Sequence, residues 1–367
     1  MKTHWYDIDF SEIDTPALMI DREMVRSNIR LAIKYAGGTH RLRPHVKTHK
    51  MLEISNMEIE EGIYKFKCAT IPEAEMLGMA KAKDVLIAYP VQGPKIDRVV
   101  SLINTFSDTH YSFLIDNIDT STEVNEKFRT ASKTIDVFID INNGQNRTGI
   151  IIDDARKLIP LLRPLNHINL VGLHCYDGHI RSASLEERTN ACRQAISSVV
   201  ELRDEIQADQ HREIKLVAGG SPSFSVHAKY HDVECSPGTF VLWDARYGGD
   251  YAEQEFQKAA VLVTRVISQI DTHTFCLDLG HKSVASEFPF PRVQLMLEDQ
   301  PTQIGHSEEH LIIQCEKANA LNVGQLIIGY PYHICPTVAL YDHVYVASNG
   351  KIIDQWAVIA RNRKITI

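Results

Sequence analysis

Short apolar runs alternate with amphipathic stretches from about residue 15 to residue 245, and few folds accommodate that rhythm. The runs are RLRPHVK from Arg41, KFKCA from Lys65, DVLIAYP from Asp84, HYSFLID from His110, TIDVFIDI from Thr134, NLVGLHCY from Asn169, EIKLVAGG from Glu213, and a weaker one around DVECSPGTFV. Between two of them, Leu185, Ala191, Ala195, Val199 and Leu202 recur at helical spacing, which predicts a helix from Ser184 to Ile206. A strand covered on both faces is apolar almost throughout instead of alternating. Eight such strands, most followed by a helix-like connection, predict an α/β fold: a (β/α)8 TIM-type barrel over 15–245 rather than an open doubly wound sheet.

After Arg246 the texture changes. β-Branched runs such as AVLVTRVISQI, THTFCLDLG and HVYVASNGKIID follow one another with no long helical pattern between them. Asn349-Gly350 between two runs is a hairpin-turn signal. We read 246–367 as a C-terminal all-β domain, with residues 1–14 assigned to it as well because they precede the barrel rhythm. A chain of 367 residues is long enough for two such domains. The net charge of −8 argues against a nucleic-acid partner, which usually calls for a basic face. No apolar run approaches the roughly 18 residues of a membrane span. Seven cysteines without framework spacing, together with an N-terminus lacking an apolar core, lead us to expect reduced thiols and a cytoplasmic location.

In a barrel of this kind catalytic groups gather at the C-terminal strand ends, and that is where the unusual residues fall. Lys47 follows the first run within Arg43-Pro44-His45-Val46-Lys47. It either points into the barrel mouth, where a dry site would suit Schiff-base chemistry, or begins a solvated basic loop. Arg147 sits in a loop between Gly144 and Gly149, presented to an anion or simply exposed. His174 and Tyr176 share a strand face by alternation, as a cofactor-stacking or proton-transfer pair or as satisfied core groups. Gly219-Gly220-Ser221 after the seventh run and Gly238-Thr239 by the eighth are loops whose small residues allow backbone N–H groups to approach a phosphate. In the β-domain, His333 and Cys335 lie two apart. On an extended segment they would form a nitrogen-and-sulfur clamp suited to zinc, though an isolated His-x-Cys is usually accidental. Nothing singles out His281 or His306 as further ligands.

With these motifs read together, the chain resembles the D-serine dehydratase and D-threonine aldolase family, fold-type III pyridoxal-phosphate enzymes related in architecture to alanine racemase. The resemblance runs almost end to end, through DTPALMID at Asp14, RLRPHVKTHK at Arg41, KCATIPEAE at Lys67, the Arg147 loop, GLHCYDGH, GGSPSF, Pro237-Gly238 and HICPT. It implies that Lys47 holds pyridoxal 5'-phosphate covalently and is the natural base for the Cα proton. It also implies that Arg147 lies beside the pyridoxal ring and Tyr176 against it. Gly219, Gly220, Ser221, Gly238 and Thr239 occupy phosphate positions, and His333 and Cys335 match a divalent-metal pair.

The family's dehydratases share His-x-Cys, a zinc-type set, whereas its D-threonine aldolases more typically carry His-x-Asp. Cys335 therefore leans toward a metal-assisted D-serine dehydratase giving pyruvate and ammonia. The alternative is a D-threonine aldolase giving glycine and acetaldehyde. A racemase ranks behind both, because the β-domain offers a metal clamp where a racemase needs a second acid–base group. A non-enzymatic pyridoxal-phosphate carrier ranks behind them too, since such carriers resemble the barrel half alone. The resemblance also implies a homodimer acting on a small D-amino acid.

Overall fold

A computed structural model describes residues 4–230 and 232–367. The chain divides into two compact units: residues 31–47, 55–238 and 362–367 form one, and residues 4–30, 48–54 and 239–361 the other. The strands in chain order are β1 (Ala17–Asp21), β2 (Lys65–Cys68), β3 (Asp84–Pro90), β4 (His110–Ile115), β5 (Ile135–Ile141), β6 (Ile168–Cys175), β7 (Lys215–Ala218) and β8 (Glu234–Cys235). They continue with β9 (Ala260–Gln269), β10 (Thr274–Leu277), β11 (Val293–Leu295), β12 (Thr302–His306), β13 (Leu311–Gln314), β14 (Leu326–Pro331), β15 (His343–Ser348) and β16 (Lys351–Ala357).

In the first unit β2 to β8 make a seven-stranded parallel sheet in sequential order. The first apolar run of the sequence does not form a regular strand. Instead it carries two isolated parallel bridges, Leu42 to Cys235 on β8 and His45 to Lys67 on β2. The Arg43 and His45 amides donate to Cys235 and Pro237 on one side. On the other side the Val46 amide donates to Lys67, and the Lys67 amide to Pro44. The segment thus hydrogen-bonds both edges of the sheet and fills the eighth position. Pro44 has no N–H, which is why the ladder there is broken into bridges.

Inward-facing positions, two residues apart along each strand, stack in layers. The floor is ionic: Arg43, with no exposed surface, bonds Asp84 at 2.7 Å and Glu234 at 2.7 Å. The middle is apolar, with Leu86, Leu114, Phe138 and Val217 packed together. Above it Lys67, Asp140 and His174, all buried, meet through their side chains, Asp140 standing two residues beyond Phe138. The connections are helices with ordinary caps. Ser184 accepts from the Glu187 amide to start Leu185–Gln210, and Thr70 accepts from the Glu73 amide to start Ile71–Met79.

In the second unit a mostly antiparallel sheet runs β12-β13-β10-β9-β1-β15-β16, and β14 joins β9 to β11. The β1–β15 pair is parallel. Trp5, Ile8, Phe10 and Ile13 pack with Met19, Val261, Val263 and Ile328 in its core, so the opening residues join this sheet. The hairpin β15–β16 turns on Asn349 and Gly350, both at positive φ (49° and 74°), as a two-residue primed turn requires.

Candidate active site

At the top of the barrel unit three cations surround one aromatic ring. Lys47 Nζ lies 5.5 Å from the Tyr176 ring centroid, Lys67 Nζ 5.8 Å and the Arg147 guanidinium carbon 5.0 Å. Lys47 sits where the bridging segment ends, and its amide donates to His45 Nδ1. Arg147 is exposed, on a loop tied to the strand end: Thr148 Oγ1 donates to Asp140 Oδ2 at 2.9 Å, the Asn142 amide donates to the Ile150 carbonyl and the Ile150 amide to the Asp140 carbonyl. Gly149, at φ 86°, passes so close to the Asp140 carbonyl that a Cβ would stand 2.8 Å from it.

His174 is held from below. Its Nδ1 donates to Asp140 Oδ1 at 2.7 Å, and its Nε2 faces Lys67 Nζ at 3.5 Å. Burial, ahead of the neighbouring cations Lys67 and Arg147, holds His174 below the usual imidazole range despite Asp140. Burial also pushes Lys67 down to about 7, and Lys47 adds to the shift. Burial raises the Asp140 carboxyl, but the bonds from His174 and Thr148 outweigh it and leave it low.

The Gly219-Gly220-Ser221 loop is braced from behind. The Gly219 amide donates to the Cys175 carbonyl and the Gly220 amide to Ser223 Oγ. Ser223 Oγ and His227 Nε2 both donate to Asp177 at 2.7 Å, and the Gly238 amide donates to Ser221 Oγ. A Cβ on Gly219 would meet His227 at 2.5 Å, and one on Gly220 would meet Tyr176 at 2.9 Å. The loop is therefore glycine by necessity on both sides. Asp177, Cys192 and His227 offer ligand atoms within 4.8 Å of one another, a spacing open to a metal ion. In the structure, though, Asp177 and His227 are engaged with each other, and Cys192 Sγ lies 3.7 Å from Asp177.

These features fit an anionic cofactor with a flat ring. The pocket gathers three cations around an aromatic surface, its carboxylates Asp140 and Asp177 being engaged by histidine and hydroxyl donors, and has a backbone loop cleared of side chains. Pyridoxal phosphate meets that description. Lys47 would hold it, with Tyr176, His174 and Arg147 around the ring and the glycine loop at the phosphate.

In the β unit His333 and Cys335 are also together. His333 is extended (φ −137°) and caps the short helix Ile334–Val338, so Cys335 lies in a helical turn and not on a strand. Pro336, with its fixed φ, favours this turn. Even so, the His333 imidazole bonds the Cys335 thiol. Cys335 Sγ stands 3.2 Å from Thr48 Oγ1 and 3.4 Å from Thr239 Oγ1. Burial resists the thiolate, but His333 and the two hydroxyls outweigh it and hold the Cys335 thiol below its usual range. Burial likewise opposes the His333 charge, yet Cys335, Glu287 and Asp244 raise it to about 9. Glu287 takes His333 Nδ1, leaving the other nitrogen for Cys335. A polarised thiol beside an oriented imidazole fits a thiophilic cation such as zinc. The Thr239 hydroxyl is thus turned to Cys335. His281 and His306 pair edge-on with each other, and His306 faces the Leu279 carbonyl.

Asp140, His227 and Glu287 lie outside the motifs read above, and Lys67 and Asp177 stand within KCATIPEAE and GLHCYDGH with no role read for them there. For Asp140 there was a signal, since a charge inside a largely apolar strand must face a partner or a site.

Residues 20–244 match the family described as alanine racemase, N-terminal domain, and residues 259–347 match the putative serine dehydratase domain. The 3-hydroxy-D-aspartate aldolase of Paracoccus denitrificans (strain Pd 1222) is 28% identical over 97% of this chain and 94% of its own length. The D-threonine aldolase of an Arthrobacter species is 27% identical over 96% and 93%. The D-serine dehydratase of Schizosaccharomyces pombe is 22% identical over 97% and 94%. Among solved structures, D-threonine aldolase from Filomicrobium marinum superposes with a TM-score of 0.86 at 26% identity, covering 96% of each chain.

Proposed function

Because the chain belongs to the family of the alanine racemase N-terminal domain, a pyridoxal-phosphate-dependent family, we propose that it is a metal-assisted lyase of 3-hydroxy D-amino acids, with D-serine dehydration as its reaction. One observation carries the choice of reaction: His333, which would hold the metal, is paired with a thiol, Cys335, whose environment favours the thiolate. A nitrogen-and-sulfur pair selects zinc over the harder ions that an oxygen ligand would favour.

When bound, pyridoxal phosphate supplies an electron sink for charge developing at Cα, and zinc supplies Lewis-acid polarisation of the 3-hydroxyl. The chain's own groups do the rest. Lys47 holds the cofactor and, once released, carries the Cα proton on its amine. Tyr176 offers a flat surface against which the ring is oriented. Arg147 supplies a charged donor at the ring's anionic edge. Asp140 keeps the proton of His174 on Nδ1, so that Nε2 is an acceptor. Gly219, Gly220, Ser221, Gly238 and Thr239 are the phosphate-binding group, the glycines leaving the approach clear of side chains. Glu287 fixes the orientation of His333.

The second reading is an aldolase acting on D-threonine or 3-hydroxy-D-aspartate. It is favoured by the higher end-to-end identity to aldolases than to the dehydratase. In that reaction the proton leaves the 3-hydroxyl and not Cα, and the Cα–Cβ bond breaks. A homodimer and a cytoplasmic location belong to the same proposal; none of the seven cysteines is in a disulfide, and no described helix is long and apolar enough to cross a membrane.

The test is product analysis on pyridoxal-phosphate-loaded protein given D-serine, D-threonine and 3-hydroxy-D-aspartate, with and without chelator. Pyruvate and ammonia from D-serine, abolished by chelation and by Cys335→Ala and restored to the wild type by zinc, are the expected result. Glycine with the matching aldehyde, and no ammonia, would replace dehydration with the aldolase reading.

A further inference from the structure

We infer that Lys67 is a cofactor-binding residue: its ammonium is a counter-charge for the anionic pyridoxal phosphate, and its proton is taken up as the cofactor binds. This rests on the reading of the Lys47 pocket given above and extends it to a residue to which the sequence reading gave no role.

The geometry comes first. Lys67 is the third residue of β2, on the inward face, and only 2% exposed. Its Nζ approaches the same Tyr176 ring as Lys47 and Arg147 do. Its one hydrogen-bond partner among the described residues is His174 Nε2, at 3.5 Å. Asp140 can only accept, so His174 Nδ1 carries the proton and Nε2 receives from Lys67. An ammonium has three donors, and here one of them is used. Leaving the others unmet in a buried site is costly unless a ligand supplies acceptors.

The charged and titratable groups facing Lys67 are Lys47, Asp140, Asp177, Cys175 and His174. Both carboxylates are already committed, Asp140 to His174 and Thr148, Asp177 to His227 and Ser223. Cys175 is held as a thiol by burial, well above its usual range. Burial and the Lys47 charge accordingly bring Lys67 to about 7, so near pH 8 the free protein holds it mostly neutral. An anionic ring and phosphate reverse that balance. By linkage the affinity for such a ligand falls as pH rises through the free-state value, by about tenfold between pH 6 and pH 8.

The experiment uses the full chain stripped of cofactor and pyridoxine 5'-phosphate as the probe, since it lacks the aldehyde and binds without reacting with Lys47. Dissociation constants are measured at pH 6 and pH 8 for wild type, Lys67→Met and Lys67→Arg, each checked for native circular dichroism. The phosphate's own titration is common to all three. Wild type is expected to weaken about tenfold more than either variant, since methionine cannot titrate and arginine stays charged. Arginine is expected to retain more affinity at pH 8 than methionine. If either folded variant keeps the wild-type pH slope, Lys67 is not the group that takes up the proton. If wild type fails to bind the probe at either pH, the pocket assignment itself is overturned, a different failure from that of Lys67.

Discussion

Replacing Arg43 by methionine tests the floor of the barrel and, through it, the segment that delivers Lys47. Arg43 is wholly buried and holds Asp84 at 2.7 and 3.1 Å and Glu234 at 2.7 Å, with a weaker bond to the Phe66 carbonyl. Methionine fills a similar volume but strands two carboxylates. Glu234 keeps Lys65, and Asp84 keeps His110 and a distant Lys215. Breaking a buried pair by removing one partner costs about 3–5 kcal/mol. At about 2–4 °C per kcal/mol for a unit of this size, the melting temperature should fall by about 6–20 °C at pH 7. The pH dependence has a definite sign. In the wild type burial raises both carboxyls, but the surrounding cations outweigh it and hold both below their usual range. Their contribution is therefore present above the unfolded carboxylate pKa and lost only in acid. In the variant the stranded carboxylates titrate higher, and protonation relieves them. The gap between wild type and Arg43→Met should narrow as pH falls from 7 toward 5. Thermal unfolding followed by circular dichroism at both pH values reads this directly. A variant within about 1 kcal/mol of wild type at pH 7, or a gap that widens in acid, would refute the reasoning.

Two further outcomes follow from the same geometry. Gly220→Ala puts a methyl 2.9 Å from the Tyr176 ring, and overpacking of this kind costs about 1–3 kcal/mol. Affinity for pyridoxal phosphate, followed by absorbance on reconstitution, should drop about tenfold or more, whereas Gly249→Ala, with open space around it, should not change it. His110 is raised to about 9 by its bonds to Asp136 and Asp84, against burial. Its stabilisation is therefore complete below the unfolded value near 6.5 and lost as pH rises through 9. The melting-temperature advantage of wild type over His110→Gln should be small, under about 1 kcal/mol because the imidazole is half-exposed, and should vanish by pH 10.

Much of the candidate site is legible along the chain because it sits in loops at strand ends. Gly219-Gly220-Ser221, the Arg147 loop and Gly238 announce themselves through small residues where a backbone must approach a ligand or another strand. His333 and Cys335 are legible as a pair for a different reason. Their spacing brings the side chains together whether the segment is extended or, as here, turns into a helix after His333. The groups that brace them are less legible. Asp177 and His227 are fifty residues apart, and no local pattern joins a carboxylate to an imidazole across that distance. Glu287 reaches His333 over a similar span.

The alternation of apolar runs and amphipathic helices is a property of the chain itself, since a strand covered on both faces must be apolar wherever its neighbours lie. It determined the parallel barrel and the Ser184 helix start, as the Asn349-Gly350 dipeptide determined the hairpin. Tertiary structure decided what one-dimensional pattern cannot carry. Pro44 removes an amide from the first run, so that run becomes a strand-like bridge only because β2 and β8 stand on either side to receive it. Residues 17–21 fall within the range 15–245 read as barrel, yet they pair with β9 and β15, because register and partner depend on surfaces that exist only after folding. Lys67 is the clearest case. One lysine in a short run looks like any other until the strands around it exclude water, and that exclusion makes its charge a property of the site.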